Sequence, residues 1–159
     1  MRIGFASDIH RLVPNRKLIL AGVIVPYDKG ELAHSDGDVV YHAVAESILG
    51  ALALGDLGQH FPDTIDDTLD MDSALIMNHI YELMDKQGYE INNIDISITL
   101  EEPKLKNYKE QMRINIAKLL HTELENVSLK AGTNEGLDDV GAKIAVKAES
   151  IVLLKKKGK

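Results

Sequence analysis

The chain has 159 residues, of which 45% are hydrophobic and 27% charged, and its formal net charge is −7. This length and apolar content predict a single domain over 1–159 and exclude a mainly disordered chain. The absence of cysteine excludes disulfides and thiol chemistry, and the acidic charge argues against nucleic acid as a partner. Because no apolar run reaches the roughly 18–20 residues of a membrane span, we expect a cytoplasmic protein with no membrane partner, whose metal ligands would be His, Asp or Glu.

The first half of the chain predicts two strands followed by a helix. RIGFASDIH is typical of a strand that runs into a loop, and KLILAGVIVPY of a second strand that ends before a turn. Residues 38–54 have helical periodicity, with Ser35 or Asp36 as the expected N-cap. Residues 55–72 follow as a long polar loop, and loops of that length in a small domain are usually functional or disordered.

The second half predicts two more helices and three strands. One helix fits residues 73–87, with Ser73 as its N-cap, and another begins at 107–110 with a capping-box-like pattern. INNIDISITLEEP alternates in hydrophobicity, so its isoleucines share one face of a strand, and VSLKAGTNE and KIAVKAESIVLLKK predict the last two strands. Interleaved helices and strands predict an α/β fold of the α+β sandwich type, with one mixed β-sheet and helices packed on one face.

Asp8 and His10 lie two residues apart on the first predicted strand. Side chains at that spacing point to the same face, and His42, in the first turns of the next helix, is positioned to supply a third ligand. Two imidazoles and one carboxylate with an open position are typical of catalytic Zn²⁺ and also of non-haem iron, so the ligand set leaves the metal open. Ordinary polar residues at a strand end are the alternative interpretation.

The segment HSDGDVVYH places His34 and Ser35 immediately before a helix N-terminus. Unpaired backbone N–H groups and the helix dipole attract phosphate there, and both side chains can donate to the same anion. Asp38 and Glu46 lie one helical turn from His42, so each is a candidate to orient its ring. A capped surface helix that carries a histidine is the alternative.

Three further loops carry groups that suit a phosphorylated sugar or nucleotide. In GDLGQHFPDTID, glycines allow close approach and aspartates can accept hydrogen bonds from hydroxyls. EEPKLKNY offers two lysines to phosphate, and KAGTNEG offers Thr133 and Glu135, a hydroxyl and a hard oxygen ligand for Mg²⁺ or Mn²⁺. Each loop taken alone is equally typical of a solvated surface.

Taken together, these segments resemble the 2-C-methyl-D-erythritol 2,4-cyclodiphosphate synthase family, the cyclases of the non-mevalonate isoprenoid pathway. The family pattern RIGxGxDxH appears as RIGFASDIH, with Ala6 in place of the second glycine. AHSDGDVxxHA is present in full at residues 33–43, ALGDIGxxFPDT appears as ALGDLGQHFPDT, and MDS and EPKLK follow. The resemblance therefore extends from residue 2 to residue 135 without a gap.

The resemblance implies a lyase that cyclises 4-diphosphocytidyl-2-C-methyl-D-erythritol 2-phosphate to 2-C-methyl-D-erythritol 2,4-cyclodiphosphate with release of CMP. It implies a homotrimer with active sites between neighbouring subunits, and Zn²⁺ held by Asp8, His10 and His42. Glu135 and the substrate diphosphate would hold Mg²⁺ or Mn²⁺, and His34 and Thr133 would be catalytic residues that polarise the phosphates. The implied substrate-binding residues are Asp8, His10, His34, Ser35, Asp56, Leu57, Gly58, Phe61, Pro62, Asp63, Thr64, Leu100, Pro103, Lys104, Leu105, Lys106, Gly132, Thr133, Asn134 and Glu135.

The chain departs from the family pattern near its C-terminal third. A TTTE block is replaced by GTNE, and the aromatic and arginine positions that line a cavity on the trimer axis are Asp139 and Ala142. We therefore expect no isoprenoid diphosphate in that cavity. Two other functions stay open: a metal-dependent phosphoesterase that uses water in the open position, and a non-catalytic or altered-specificity metal-dependent trimer that binds phosphate or nucleotide.

Overall fold

The computed structural model describes residues 1–33, 35–62 and 72–158. The strands are β1 (Arg2–Pro14), β2 (Leu18–Leu20), β3 (Val23–Val25), β4 (Lys29–Leu32), β5 (Tyr89–Thr99), β6 (Val127–Gly132) and β7 (Ala145–Lys156). The helices are α1 (Val39–Leu52), α2 (Leu57–His60), α3 (Ser73–Lys86), α4 (Lys109–Leu119) and α5 (Asp138–Gly141), with a 3₁₀ turn at Leu124–Asn126. Within those ranges, no helix combines the length and the apolar character needed to cross a membrane.

Five strands form one mixed sheet in the order β4–β1–β7–β5–β6. The β5–β6 pair is parallel, and the other three pairs are antiparallel. Helix α1 packs on β1 and β7, α3 on β5, and α4 on β6, so the helices cover one face of the sheet. The predicted α/β fold with a mixed sheet is therefore confirmed.

The alternating isoleucines of β5 form the centre of the core. Ile94, Ile96 and Ile98 are at most 1% exposed, as their period-2 spacing predicts for the covered face of a sheet. Helix and sheet approach each other closely at Gly4 of β1, where a Cβ would lie 1.9 Å from the backbone oxygen of Ser47 in α1. Glycine is therefore required there for α1 to reach the sheet.

The other face of the sheet is apolar along β1 and β7. Ile3, Phe5 and Ile9 on β1 and Ile151 on β7 are between 48% and 71% exposed. Because side chains alternate along a strand, these residues point away from α1, while Asp8 and His10 share the covered side. We refer to Ile3, Phe5, Ile9 and Ile151 as the outer apolar face.

Two of the predicted strands differ from expectation. KLILAGVIVPY forms a hairpin of β2 and β3 rather than one strand, since Ala21 and Gly22 both have positive φ, 48° and 72°, as two-residue hairpin turns require. Because alanine rarely adopts a positive φ, the sequence pattern did not indicate this turn. Strand β1 also continues to Pro14, where a loop was expected, because Lys29–Leu32 pairs with it as β4.

The predicted helix caps were wrong at all three helix starts. Asp38 caps α1, and Asp72 caps α3 by accepting from the backbone N–H of Ala74. Helix α4 begins without any side-chain cap. Asp38 takes the position because its carboxylate also accepts from the backbone N–H groups of the β2–β3 turn, a tertiary contact that local spacing does not reveal.

Candidate active site

Asp8, His10 and His42 converge where β1 passes the N-terminus of α1. Asp8 Oδ2 lies 3.0 Å from His10 Nε2 and 3.6 Å from His42 Nδ1, and the two histidine nitrogens are 3.4 Å apart. The strand aligns Asp8 with His10 on its covered side, and the first turn of α1 brings His42 to them. The three residues predicted as metal ligands are thus neighbours in the fold.

The triangle of donor atoms matches the geometry of a tetrahedral metal site. Ligand bonds of about 2.0–2.1 Å to a tetrahedral Zn²⁺ separate each pair of donors by about 3.3 Å, and the three observed separations bracket that value. Among the described residues, these three form the group of His, Asp and Glu donors that can hold a metal ion. The Asp8 side chain is 30% exposed, so one side of the triangle is open to a further ligand.

Charge in the triangle is concentrated between Asp8 and His10. Burial raises the pKa of Asp8, but hydrogen bonds with His10 and His42 outweigh it and hold that pKa well below its usual range. Burial lowers the pKa of His10, but hydrogen bonds with Asp8 and Glu31 outweigh it and raise the pKa to about 10. Without a metal, a proton on His10 therefore takes the place of the cation.

The second ring nitrogen of His10 is held by the turn before α1. Nδ1 lies 2.6 Å from the carbonyl oxygen of Gly37, so Nδ1–H donates there and Nε2 is left to bind a metal. Glu31 lies behind the ring, fully buried, with Oε1 3.6 Å from Nδ1 and Oε2 without a partner. Burial raises the pKa of Glu31 to about 8. Glu31 was not predicted, because it lies in the polar segment DKGELAHSD, where a charged residue is unremarkable.

The second ring nitrogen of His42 contacts two serine hydroxyls. Nε2 lies 3.1 Å from Ser73 Oγ and 3.3 Å from Ser35 Oγ. The expectation that Asp38 or Glu46 orients this ring is therefore wrong. Asp38 is instead fully buried as the cap of α1, where burial raises its pKa to about 6 despite its backbone hydrogen bonds.

A second group of predicted residues surrounds a small cavity where β5 and β6 end. The cavity has a volume of about 80 Å³ and is lined by Leu100, Pro103, Lys104, Leu105, Ala131, Gly132 and Thr133. The parallel pairing of β5 with β6 places Thr99 opposite Gly132, so the loops that follow both strands leave the same edge of the sheet. Lys104 and Thr133 are exposed and can donate to an anion.

The turn that carries Glu135 is held by another carboxylate. Glu135 has φ of +53°, a left-handed conformation that is uncommon for residues other than glycine and is often found at functional sites. Glu101 Oε1 accepts from the backbone N–H groups of Asn134 at 2.7 Å and Gly136 at 3.2 Å, on either side of it. Thr133 Oγ1 lies 3.4 Å from Glu135 Oε1. Glu101 was not predicted, because its partners lie more than thirty residues away in the chain.

The metal triangle and the cavity are far apart within one chain. Ile9, Lys147, Thr99 and Gly132 form one row across β1, β7, β5 and β6. Three strand spacings of about 4.8 Å separate β1 from β6 by roughly 14 Å. A single chain therefore presents two separate groups of predicted site residues along one edge of its sheet.

The remaining predicted residues lie around α2 or outside the described ranges. Asp56 caps α2 by accepting from the backbone N–H of Gln59 at 3.0 Å, which interrupts the long loop that was expected. Leu57 and Gly58 are in α2 itself, and Phe61 and Pro62, both half-buried, follow it. Lys106 is exposed in the loop after Leu105. His34, Asp63 and Thr64 lie outside the described residues.

Comparisons with known proteins agree with this fold. The YgbB family model matches residues 1–155, and the chain belongs to the YgbB family. A protein named 2-C-methyl-D-erythritol 2,4-cyclodiphosphate synthase from Clostridioides difficile is 51% identical over 154 residues, 97% of this chain and 96% of that protein. IspF from Plasmodium falciparum, solved as a CDP complex, is 34% identical with a TM-score of 0.87 over 99% of this chain and 97% of that one. The bifunctional IspDF from Campylobacter jejuni is 38% identical with a TM-score of 0.93; the match covers 98% of this chain but 42% of that longer one.

Proposed function

We propose that this chain is a metal-dependent cyclase, a phosphorus–oxygen lyase of isoprenoid precursor biosynthesis. It converts 4-diphosphocytidyl-2-C-methyl-D-erythritol 2-phosphate to 2-C-methyl-D-erythritol 2,4-cyclodiphosphate and CMP. The observation that carries the proposal is the triangle of Asp8, His10 and His42 donors with one open side, on the same sheet edge as a lysine- and threonine-lined cavity. The name of the Clostridioides difficile relative and the CDP bound to the Plasmodium falciparum protein support the same reaction.

The chemistry of this reaction suits a site without a protein nucleophile. An oxygen of the substrate 2-phosphate attacks the β-phosphorus, a new P–O bond forms, and the bond from the β-phosphorus to the oxygen of CMP breaks. The protein has to align the two phosphates and offset their charge. The absence of cysteine is consistent with this requirement.

Asp8, His10 and His42 would hold Zn²⁺, which when bound supplies a Lewis acid for a phosphate oxygen. The carbonyl of Gly37 keeps the His10 ring turned so that Nε2 faces the triangle. The 30% exposure of Asp8 leaves an approach for the phosphate on the open side. The chain itself thus contributes a fixed orientation for each donor before substrate arrives.

The groups around the cavity would bind the rest of the substrate. The Lys104 ammonium and Thr133 hydroxyl would donate to the phosphates, and the apolar walls at Leu100 and Leu105 suit the cytidine end. Glu135 would hold Mg²⁺ or Mn²⁺ together with the diphosphate, since a carboxylate suits a hard cation. By the family match, His34 would polarise the phosphates together with Thr133. Ser35, Phe61 and Asp63 would contact the methylerythritol, and Asp56 and Gly58 would contact the cytidine side.

The direct test is turnover of the synthetic substrate in the presence of Zn²⁺ and Mg²⁺, followed by phosphorus NMR. We expect CMP and a cyclic diphosphate in equal amounts from the unaltered protein, and none from His42→Ala. His121→Ala, which alters an exposed histidine stacked on Tyr81, is the matched control and should remain active. Release of inorganic phosphate would indicate the phosphoesterase instead, and tight CDP binding without turnover would indicate a non-catalytic binder.

We further propose that the protein is a homotrimer whose active sites lie between subunits. The roughly 14 Å between the two groups of predicted site residues in one chain supports completion of each site by a neighbour, and the outer apolar face offers surface to bury against one. Sedimentation velocity at micromolar concentration should report a trimer. A monomer would contradict this assembly.

Mixed trimers test the shared site directly. His42→Ala chains lack a metal ligand and Lys104→Ala chains lack a phosphate contact, so each variant alone should be inactive or nearly so. If sites are shared, random mixing in equal amounts restores both groups in about one quarter of the sites. If each chain holds a complete site, mixing restores no activity.

The role of Glu135 is tested separately from that of the metal triangle. Glu135→Gln should strongly lower turnover and leave bound zinc unchanged, because the amide keeps the shape but lacks the charge that a hard cation prefers. Glu82→Gln, an exposed glutamate on α3, is the matched control. Equal turnover in both variants would remove Glu135 from the site.

A further inference from the structure

Ser73 contacts His42 from a different helix. It is the first residue of α3, fully buried, and its Oγ lies 3.1 Å from His42 Nε2, across 31 residues of sequence. This is the ring nitrogen that points away from Asp8 and His10. The contact is therefore placed to control which nitrogen of His42 carries a proton.

Asp36 determines the direction of that hydrogen bond. Its carboxylate accepts from the backbone N–H of Ser73 at 3.0 Å, from the backbone N–H of Asp38 at 3.1 Å, and from the Ser73 hydroxyl. A carboxylate has no proton to give, so the Ser73 hydroxyl donates to Asp36 and its oxygen is left to accept. The only group on His42 that can satisfy that oxygen is Nε2–H.

We infer that Asp36 and Ser73 are positioning residues that hold His42 as the Nε2–H tautomer and so reserve Nδ1 for the metal. His10 is held in the opposite sense, since its Nδ1–H donates to Gly37 and its Nε2 faces the triangle. The two histidines thus bind through different ring nitrogens, each selected by a partner outside the triangle. The inference rests on the metal site of the proposed function and on no particular reaction.

Zinc affinity is the first readout, measured by competition with a chromophoric chelator on the full-length protein with Zn²⁺ alone. Loss of an outer partner of a metal-bound histidine typically weakens metal binding by about 10–100-fold, and we expect that loss for Ser73→Ala. Asp36→Asn should also weaken binding, because its amide can donate to Ser73 and reverse the hydrogen bond. Ser73→Thr keeps the hydroxyl and should bind within about threefold of the unaltered protein.

Two control variants separate positioning from a general loss of stability. Ser47→Ala removes a buried serine hydroxyl from α1 that bonds to Val44 and Ser150 and not to His42. Asp72→Ala removes the N-cap of α3 directly beside Ser73. Both should destabilise the fold and leave zinc affinity unchanged. If they weaken zinc binding as much as Ser73→Ala does, the positioning role is wrong.

The tautomer itself is the second readout. Long-range ¹H–¹⁵N correlation spectra of the zinc-loaded, ¹⁵N-labelled protein should show His42 coordinated through Nδ1 with a proton on Nε2, and His10 with the reverse pattern. Coordination of His42 through Nε2 would overturn the inference, as would unchanged zinc affinity in Ser73→Ala. Failure of the unaltered protein to bind zinc would overturn the metal site and this inference together. Zinc binding with the expected spectra but no cyclase product would contradict only the proposed reaction.

Discussion

Zinc binding should depend steeply on pH, because a metal must displace the proton that His10 carries in the metal-free protein. Burial lowers the pKa of His10, but Asp8 at 3.0 Å and Glu31 at 3.6 Å outweigh it and raise the pKa to about 10. At neutral pH the ring is therefore protonated, and its Nε2 has no lone pair for a metal. Each zinc ion that binds must release this proton to the solvent.

The size of the effect follows from that pKa. At pH values below the pKa of His10, each rise of one pH unit makes the His10 proton easier to remove by a factor of about ten, or ~1.4 kcal/mol. Raising the pH from about 7.0 to about 8.5 should thus tighten zinc binding by about 30-fold, or ~2 kcal/mol. A histidine with an ordinary pKa near 6.5 is largely deprotonated over this range and would change the affinity by less than about twofold.

Chelator competition at four pH values across this interval measures the affinity, and calorimetry in two buffers of different ionisation enthalpy counts the protons released. Glu31→Gln removes one of the two groups that raise the pKa of His10, so the slope should flatten toward the upper end of the interval. Asp85→Asn breaks an exposed ion pair with Lys157 and should leave the slope unchanged. An affinity change of less than about threefold in the unaltered protein would refute the assigned proton.

The ion pair between His10 and Asp8 gives the metal-free fold a pH dependence of known sign. The folded-state pKa of His10 lies above its unfolded value, so its stabilisation is complete below about pH 6.5 and is lost as the pH rises toward about 10. Urea denaturation of the metal-free protein at several pH values measures this loss. Stability that rises between pH 7 and pH 9 would contradict it.

Three further predictions address the fold and the departures from the family pattern. Gly4→Ala places a Cβ 1.9 Å from the backbone oxygen of Ser47 in α1 and should lower the free energy of unfolding by ~2–3 kcal/mol. Gly50→Ala, at a position with open space around it, should not lower it. Equal urea midpoints for the two variants would contradict this packing argument. Asp38→Ala leaves four backbone N–H groups without their acceptor and should lower the free energy of unfolding by ~3 kcal/mol or more in the same assay. A decrease below ~1 kcal/mol would show that water replaces the carboxylate. Farnesyl diphosphate should not bind measurably by calorimetry, because the exposed Asp139 carboxylate repels the diphosphate and Lys143 is paired with a glutamate at 2.7 Å. Tight binding would show that Lys143 replaces the missing arginine.

Local spacing predicted that Asp8 and His10 share a face, and the resemblance to the cyclase family added His42 to them as a proposed metal ligand. Asp8 and His10 share a face because side chains repeat every two residues along a strand, and His42 reaches them from the first turn of the helix that packs on that strand. The alternation in β5 predicted the core face for the same reason. These are short-range properties of the backbone, and they hold wherever the element forms.

The β2–β3 hairpin and the helix caps show where local patterns were insufficient. Ala21 takes a left-handed conformation that its side chain disfavours, and Asp38 is chosen as a cap over Ser35 and Asp36. Both depend on the same contact, in which the Asp38 carboxylate accepts from the N–H groups of the hairpin turn and of α1 at once. The hairpin turn and the cap lie 16 and 17 residues apart in the chain, and the local patterns of strand, turn and helix do not relate them.

The sequence by itself identified the side chains that can carry the chemistry, since Asp8 and His10 share a strand face and the motifs that hold Asp8, His10 and His42 match the family pattern. Only the tertiary structure decided what surrounds them: Ser73 and Asp36 behind His42, Glu31 behind His10, and the roughly 14 Å between β1 and β6. The physical reason is that such partners are selected by how helices pack on the sheet and by strand order. Both arise from burial of apolar surface over the whole chain and leave no periodic signal in the sequence.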